Sequence, residues 1–183
     1  MRKRGGGGYC FVNNASASVQ ALLDGGLDRV AVVDVDYHHG NGTQDIFWAR
    51  GDVLVTNLHG DPRQEYPFFT GYADERGEGP GVDANRNYPL PMGTQAPAWF
   101  AALDDALGHV RAFAPDAVVV SLGVDTYRDD PISCFELETT DYPVLGARLA
   151  DLGVPTLFVM EGGYAVEAIG TNVAGVLIGF EAG

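Results

Sequence analysis

The sequence predicts an α/β protein built on a mostly parallel sheet with helices on both faces. Four apolar runs rich in β-branched residues predict strands at Val30–Val35, Val53–Leu58, Ala117–Leu122 and Thr156–Met160. Nearly continuous apolar strands are typical of parallel sheets that are covered on both sides. Helical patterns alternate with these runs, and this alternation favours a three-layer, doubly wound arrangement.

Helical periodicity predicts four helices, at Ala15–Leu23, Ala98–Phe113, Asp141–Leu152 and Glu167–Ile178. Gly25-Gly26 and Gly153 follow two of them and are typical helix stops. The stretch from Gly60 to Pro91 is rich in Gly, Pro, Asp and aromatic residues and lacks a helical period, so we predict a long functional loop there. Without a repeat or linker, residues 1–183 are expected to form a single domain.

The composition indicates a globular protein with an acidic surface, since 46% of residues are hydrophobic and the formal net charge is −14. This charge argues against nucleic acid and anionic membranes as partners, and it is compatible with a cationic substrate. No apolar run is long enough to span a membrane. The first residues, MRKRGGGGYC, lack the apolar core of a secretory signal, so we expect a cytoplasmic protein in which Cys10 and Cys134 are free thiols. The sequence leaves homo-oligomerisation open.

Polar residues follow three of the predicted strands. The first strand runs into Asp34, Asp36 and His38, the third into Asp125, and the fourth into Glu161–Tyr164. In an open parallel sheet, ligands bind outside the carboxyl ends of the strands. We therefore predict that these side chains form one site at that edge.

Asp36, His38 and Asp125 are the predicted metal ligands. Asp36 and His38 are two positions apart, so they are expected to share one side of an extended segment, whereas His39 points away and is expected to be an ordinary core or surface residue. Two carboxylates and one imidazole leave a position open for water, which is the pattern of a catalytic zinc. Such a metal polarises a carbonyl and lowers the pKa of its water. Fe²⁺ is an alternative, because these ligand types suit several divalent ions.

Other residues near the strand ends are expected to support this site. Asp34 is expected to face away from Asp36, and to orient a histidine or bind a cation. Asn41 lies in a Gly-Asn-Gly turn, with a supporting hydrogen bond to the site as the alternative. Tyr164 follows two glycines that permit a sharp turn. Its hydroxyl beside a metal would stabilise an oxyanion, and the alternative is a packing role.

The segments AVVDVDYHHGNGTQDIF, VVVSLGVDTYRDDPIS and FVMEGGY together resemble the zinc-dependent histone deacetylase superfamily. GGYCFVNNA, LHGDPRQEYPFFTGYADERGEG and NYPLP strengthen the resemblance, which is greatest to bacterial acetylpolyamine amidohydrolases. The resemblance extends from about Gly7 to the C-terminus. It implies an arginase-like α/β fold and the removal of acetyl groups from amines.

The resemblance also implies a role for each matching residue. Asp36, His38 and Asp125 would bind the metal, and Tyr164 would polarise the substrate carbonyl. Asp34 would contact a catalytic histidine and help to bind potassium. The expected substrates are an acetylated polyamine or an acetyl-lysine side chain.

A substrate channel is implied in the same way. Gly8 and Tyr9 would line it, and Tyr66 or Phe68 would form the opposite wall, with Tyr66 preferred. Gly162 and Gly163 would lie beside the substrate. Related arginases bind two manganese ions through extra carboxylates, and Gly40 and Tyr127 occupy two of those positions here, so one metal is expected.

The resemblance is incomplete in one respect. In the family, a tandem histidine pair that acts as general base and electrostatic catalyst precedes the segment matching Gly7–Cys10. The four histidines here are His38, His39, His59 and His109. We therefore expect the C-terminal portion of a deacetylase domain, with impaired hydrolysis on its own. The alternative is a non-catalytic module that binds metal or acetyl-amines, or half of a complementing pair.

Overall fold

Five parallel strands form one sheet at the centre of the computed structural model, which describes residues 10–183. They are β1 (Val30–Asp34), β2 (Val53–Gly60), β3 (Asn85–Leu90), β4 (Ala117–Leu122) and β5 (Thr156–Met160). Their order across the sheet is β3-β2-β1-β4-β5. Val30 at the start of β1 pairs with Val53 on one side and Ala117 on the other. Because every pairing is parallel, the carboxyl ends of all five strands lie at one edge.

The helices are α1 (Asn14–Asp24), α2 (Asn41–Phe47), α3 (Ala96–Phe113), α4 (Asp141–Ala150) and α5 (Val166–Ala182), and a short 3-10 helix spans Gly79–Gly81. α1 begins where the side chain of Asn13 accepts a hydrogen bond from the Ser16 amide at 2.7 Å. This bond satisfies a backbone donor that the first helical turn leaves free. None of the helices formed by residues 10–183 is long and apolar enough to cross a lipid bilayer.

Alternate residues of β1 enter two hydrophobic cores on opposite faces of the sheet. Ala31 and Val33 belong to a large core with buried residues of α3, α4 and α5, such as Leu103. Val30 and Val32 belong to a smaller core with residues of α1. Both faces of β1 are apolar, which explains its unbroken apolar sequence. The predicted α/β arrangement with helices on both faces is confirmed.

Two elements lie where the sequence predicted none. α2 has only seven residues, and four of them, Asn41, Thr43, Gln44 and Phe47, are buried. The prediction of an unbroken loop from Gly60 to Pro91 is wrong at its C-terminal end, because β3 pairs with β2 there. β3 buries Asn85 and Asn87 rather than apolar residues, and it contains Pro89. Neither element therefore shows the apolar periodicity from which helices and strands are predicted.

The outermost strand β5 is more exposed than the strands inside the sheet. Every residue of β1, β2 and β4 is buried. In β5, Leu157 is 43% exposed and Met160 is 46% exposed. An apolar strand therefore forms one edge of the sheet within the described part of the chain.

Candidate metal centre

Three strands end at the same edge of the sheet and bring the predicted site residues there. β1 ends at Asp34, and a bend at residues 36–38 follows. β4 ends shortly before Asp125, and β5 ends just before Glu161–Tyr164. β4 pairs with both β1 and β5, so the three segments lie side by side.

Asp36, His38 and Asp125 form one group, called the Asp–His–Asp cluster below. One potential ligand atom from each lies within 4.8 Å of the others. His38 Nδ1 is 3.0 Å from Asp125 Oδ2 and 3.4 Å from Asp36 Oδ1. The Asp125 side chain is fully buried, whereas those of Asp36 and His38 keep 14% and 24% exposure. The cluster is therefore accessible from one side.

Backbone amides orient both carboxylates. Asp125 Oδ1 accepts a hydrogen bond from the Tyr37 amide at 2.9 Å. Asp36 Oδ1 accepts from the His38 amide, and Asp36 Oδ2 accepts from the Gly162 amide, both at 2.8 Å. The bond from His38 to Asp36 closes a bend, so the extended segment predicted at this point is wrong. The two side chains approach each other because the chain bends after β1 has ended.

Burial and charge both affect the protonation of the cluster. Burial alone would lower the pKa of His38, but hydrogen bonds with Asp125 and Asp36 outweigh it and raise this pKa to about 10. Burial, reinforced by the charge of Asp36, raises the pKa of Asp125 to about 7. The cluster therefore holds a proton at neutral pH, and a bound cation would displace it.

Glycines provide the space that the cluster occupies. A Cβ at Gly162 would lie 2.5 Å from Asp36 Oδ2 and 2.6 Å from Asp125 Oδ2. A Cβ at Gly123 would lie 2.5 Å from Asp36 Cα. Gly163 has a φ of +151°, a conformation that side chains disfavour. The backbone therefore approaches the cluster closely at Gly162, and Gly163 adopts the turn conformation that the paired glycines permit.

Asp36 and His38 of the cluster line a pocket of about 970 Å³, whereas the fully buried Asp125 does not line it. Further predicted site residues line this pocket: Asp34, Asn41, Tyr66, Phe68, Gly162 and Tyr164. The rings of Tyr66 and Phe68 meet edge to face, with centroids 6.5 Å apart, and both side chains are exposed. Gly8 and Tyr9 lie outside the described residues. The structure thus brings the predicted carboxylates, imidazole, tyrosine and aromatic wall around one pocket.

The sequence predicted that Asp34 faces away from Asp36, and the structure shows that this prediction is wrong. It lines the same pocket, and its Oδ1 accepts a hydrogen bond from the Asp36 amide at 3.1 Å. Residues two positions apart share a side of an extended chain, so the predicted opposite orientation was wrong. Burial, and then the charge of Asp36, raise the pKa of Asp34 well above its usual value. Asn41 is the first residue of α2, and its amide donates to the His39 carbonyl at 2.8 Å.

A second group of polar residues begins at His39, the residue that follows His38 of the cluster. This amide network consists of His39, Gln44, Asn57, His59, Glu75, Asn85 and Asn87. Gln44 Oε1 accepts hydrogen bonds from Asn85 and Asn87, at 3.0 and 2.8 Å, and lies 3.0 Å from His39 Nε2. Burial lowers the pKa of His39 to about 4 and that of His59 to about 3. These two histidines are therefore neutral and structural at neutral pH.

Glu75 connects this network to the loop that carries Tyr66 and Phe68. Its Oε2 accepts hydrogen bonds from the Gln44 side chain at 2.7 Å, the Thr70 hydroxyl at 2.8 Å and the Gly71 amide at 2.9 Å. No sequence pattern indicated this role. Charge-assisted hydrogen bonds of this kind are stronger than neutral ones, so Glu75 fixes the base of the aromatic wall.

The donor atoms of the Asp–His–Asp cluster suit a divalent transition metal. Carboxylate oxygen and imidazole nitrogen are common zinc ligands, and three protein ligands leave one position of a tetrahedral zinc for water or substrate. Fe²⁺ accepts the same ligand types. Two further features are compatible with a bound cation. Gly162 leaves the two carboxylates the space that a Cβ would fill, and the cluster carries a proton that a cation could displace.

Comparison with known proteins identifies the family. Residues 2–179 match the family model described as the histone deacetylase domain. The chain is 63% identical over 175 residues to acetylpolyamine amidohydrolase 1 of Pseudomonas aeruginosa, covering 96% of this chain and 51% of that relative. It is 55% identical over 173 residues to the acetylpolyamine amidohydrolase of Mycoplana ramosa, covering 94% and 51%.

A solved structure gives the same result. The acetylpolyamine aminohydrolase from Burkholderia pseudomallei superposes with a TM-score of 0.94 at 47% identity, covering 97% of this chain and 52% of that one. The chain spans about half the length of the curated relatives it matches. The predicted resemblance to acetylpolyamine amidohydrolases is confirmed, and the chain belongs to the histone deacetylase domain family.

Proposed function

We propose that this chain provides the metal-binding and carbonyl-polarising part of an amide hydrolase that removes acetyl groups from amines. The observation that carries this proposal is the convergence of three ligand atoms within 4.8 Å, two of them from residues that line a pocket together with Tyr164. Family membership and the names of the relatives support the class of substrate. The substrate would be an acetylated polyamine or an acetyl-lysine side chain.

Asp36, His38 and Asp125 would hold the metal, with zinc preferred and Fe²⁺ as the alternative. When bound, the ion supplies Lewis-acid polarisation of the acetyl carbonyl and acidifies water. The chain prepares this site before the ion arrives. The Tyr37 and Gly162 amides orient the two carboxylates, and His38 carries the proton that a cation would displace.

Tyr164 would act directly on the substrate. Its hydroxyl would donate a hydrogen bond to the acetyl oxygen and stabilise the negative charge that develops there as the carbonyl carbon becomes tetrahedral. Gly162 and Gly163 would allow the turn that presents Tyr164 and would lie beside the substrate. A water molecule would add to the carbonyl carbon. When the amide C–N bond then breaks, the water oxygen would leave in acetate, and the two water protons would leave on the ammonium group of the amine.

The channel walls would be aromatic on one side. Tyr66, with Phe68 beside it, would pack against the substrate's methylene chain, and Gly8 and Tyr9 would form the facing wall. The net charge of −14 favours a substrate that carries ammonium groups.

Asp34 and Asn41 would support the cluster rather than touch the substrate. Asp34 would contact a catalytic histidine and help to bind potassium. Its burial and its raised pKa support this role, because a cation would stabilise the ionised carboxylate.

One observation favours a second candidate, a module that binds metal or acetyl-amines without turnover, or half of a complementing pair. Within residues 10–183, His39 and His59 belong to the amide network, and His109 lies on α3 with its Nε2 3.6 Å from Asp105. His39 lines the same pocket as Asp36 and His38, but its Nε2 lies 3.0 Å from Gln44 Oε1 and burial lowers its pKa to about 4, which does not suit a general base. His59 and His109 do not line this pocket. Loss of a general base costs roughly 10²–10⁴-fold in rate.

Zinc titration of the purified chain tests the proposed site. We expect one zinc per chain, with binding lost in a variant that combines Asp36→Ala and Asp125→Ala. Asp151→Ala removes an exposed carboxylate at the end of α4 and should bind zinc normally. Equal zinc binding by all three proteins would contradict the site.

Acetate release from N-acetylputrescine and from an acetyl-lysine peptide then separates the two candidates. Hydrolysis by the zinc-loaded chain, reduced roughly 10²–10³-fold by Tyr164→Phe, would support the enzyme. Zinc binding without hydrolysis would support the binding module. Hydrolysis that appears only after the remaining segment of a relative is added would support the complementing half.

A further inference from the structure

Asp130 is a buried carboxylate directed at the backbone of Tyr164. It lies in the loop between β4 and α4, the loop that also carries Asp125. Only 6% of Asp130 is exposed. Its Oδ2 accepts hydrogen bonds from the Tyr164 amide at 2.7 Å and from the Ala165 amide at 3.3 Å. Its Oδ1 accepts from the Ile132 amide at 3.1 Å.

These contacts lie just before the N-terminus of α5. The residue before the helix is Ala165, whose side chain cannot accept a hydrogen bond, and no side-chain cap is formed there. Asp130 supplies an acceptor for this end of the helix from a different loop. The Asp130 side chain also lies near the positive end of the α5 dipole, where a negative charge interacts favourably with the helix.

The Tyr164 segment is consequently held on both sides. On the cluster side, the Gly162 amide donates to Asp36 Oδ2 at 2.8 Å, and the Gly162 carbonyl accepts from the Val124 amide at 2.8 Å. On the helix side, Asp130 holds the amides of Tyr164 and Ala165. Gly163 lies between these two anchors, and its φ of +151° gives the segment its turn.

We propose that Asp130 is a positioning residue that fixes the backbone of Tyr164 relative to the Asp–His–Asp cluster. Its importance for hydrolysis rests on the proposed function, whereas its effect on the backbone does not. The Asp130 loop also contacts the cluster, because the Ser133 hydroxyl donates to the Asp125 carbonyl. One loop therefore sets the position of both a cluster residue and the tyrosine.

Amide hydrogen exchange, followed by NMR on the ¹⁵N-labelled chain, tests the backbone role without any need for activity. Asp130→Asn removes the charge but keeps the size of the side chain. We expect the Tyr164 and Ala165 amides to exchange at least about tenfold faster in this variant, since charge-assisted hydrogen bonds are the stronger ones. Asp129→Asn changes the neighbouring exposed carboxylate and should leave both amides unchanged. Unchanged exchange in Asp130→Asn would overturn the proposal.

A double-mutant cycle tests whether Asp130 acts through Tyr164. In the zinc-loaded chain, Asp130→Asn should lower kcat for N-acetylputrescine roughly 10–100-fold, with KM and zinc affinity nearly unchanged. In the Tyr164→Phe background, Asp130→Asn should have little further effect. Equal losses in both backgrounds would show a general structural role and overturn the proposal. If the unmutated chain does not hydrolyse the substrate, either alone or with the remaining segment of a relative added, the proposed function fails, and amide exchange alone decides the role of Asp130.

Discussion

The Asp–His–Asp cluster and the amide network begin at adjacent residues, yet they use histidine in opposite ways. His38 lies beside two carboxylates, and its pKa is raised to about 10. His39 lies beside an amide, and burial lowers its pKa to about 4. The first environment prepares a cation site with a displaceable proton, and the second keeps a neutral ring that supports a loop. The surroundings, rather than the residue type, decide whether a histidine serves chemistry or structure.

The largest expected effect comes from a change confined to the cluster. The Cβ of Gly162→Ala would lie 2.5 and 2.6 Å from the two cluster carboxylates. We expect zinc affinity to fall further than the roughly 10–100-fold that loss of a supporting residue costs. A competition titration with a chromophoric chelator measures this affinity.

Gly170→Ala is the matched control, because nothing lies within 4 Å of its added Cβ in α5. It should bind zinc normally and gain about 0.5–1 kcal/mol of stability from the better helix former. Equal zinc affinity in the two variants would mean that Gly162 does not limit the cluster.

A change confined to the amide network should affect stability and leave zinc binding intact. Gly71 has a φ of +104°, and its added Cβ would lie 2.8 Å from His59 Nε2. Gly153 also has a positive φ, of +66°, but nothing within 4 Å of its added Cβ. We expect Gly71→Ala to lower the free energy of unfolding by about 1–3 kcal/mol more than Gly153→Ala, because overcrowding adds to backbone strain. Urea denaturation measures the difference, and equal losses would contradict it.

Acid should weaken the network through its neutral histidines. The folded-state pKa of His39, about 4, lies below the value of about 6.5 expected in the unfolded chain. As pH falls, the unfolded chain takes up this proton first, so the stability contributed above pH 6.5 is lost between pH 6.5 and 4. The loss approaches about 1.4 kcal/mol per pH unit.

Urea unfolding across that pH range is compared between the unmutated chain and His39→Gln. The cluster carboxylates titrate in both proteins, so the difference between the two pH dependences isolates the contribution of His39. In the variant, the slope of the free energy of unfolding against pH should be smaller by the contribution of one proton. His59→Gln should lose a similar slope that continues to about pH 3. Identical slopes in all three proteins would show that neither histidine is kept neutral.

The smallest expected effect concerns the proton on the cluster. Zinc needs a neutral imidazole, and the raised pKa of His38 keeps that group protonated at pH 7 in the metal-free chain. We expect about one proton to be released per zinc bound at pH 7, so that apparent affinity increases with pH. Calorimetric titrations in buffers of different protonation enthalpy measure this number, and a value near zero would contradict the assignment.

The two regions also differ in how far the sequence could predict them. Asp36, His38 and Asp125 follow strands with strong apolar patterns, and the shared edge of a parallel sheet brings strand ends together. Even there, the bend after β1 was not predicted, because rules for extended strands no longer apply after Asp34. The orientation of Asp34 was predicted wrongly although residues two positions apart share a side of an extended chain. The sheet itself and the helices on both faces follow from the apolar runs.

The amide network gave no comparable signal. Its members come from separate segments, and its contacts depend on α2 and β3, both of which are short and bury polar residues. No spacing rule connects Gln44 with Asn87 or Glu75. Asp130 was missed for a similar reason, since its partners are backbone amides more than thirty residues away.

Within residues 10–183, β5 pairs with β4 on one side only, and this affects how the chain must be handled in the laboratory. β3, at the other edge, contains Pro89, which cannot donate a backbone hydrogen bond, whereas β5 has the uninterrupted sequence TLFVM. An accessible apolar edge strand is a template for adding further strands from other molecules. We expect light scattering to increase with protein concentration, and an exposed-face change such as Leu157→Lys to suppress it. Concentration is therefore an experimental variable in every titration and unfolding curve of this chain.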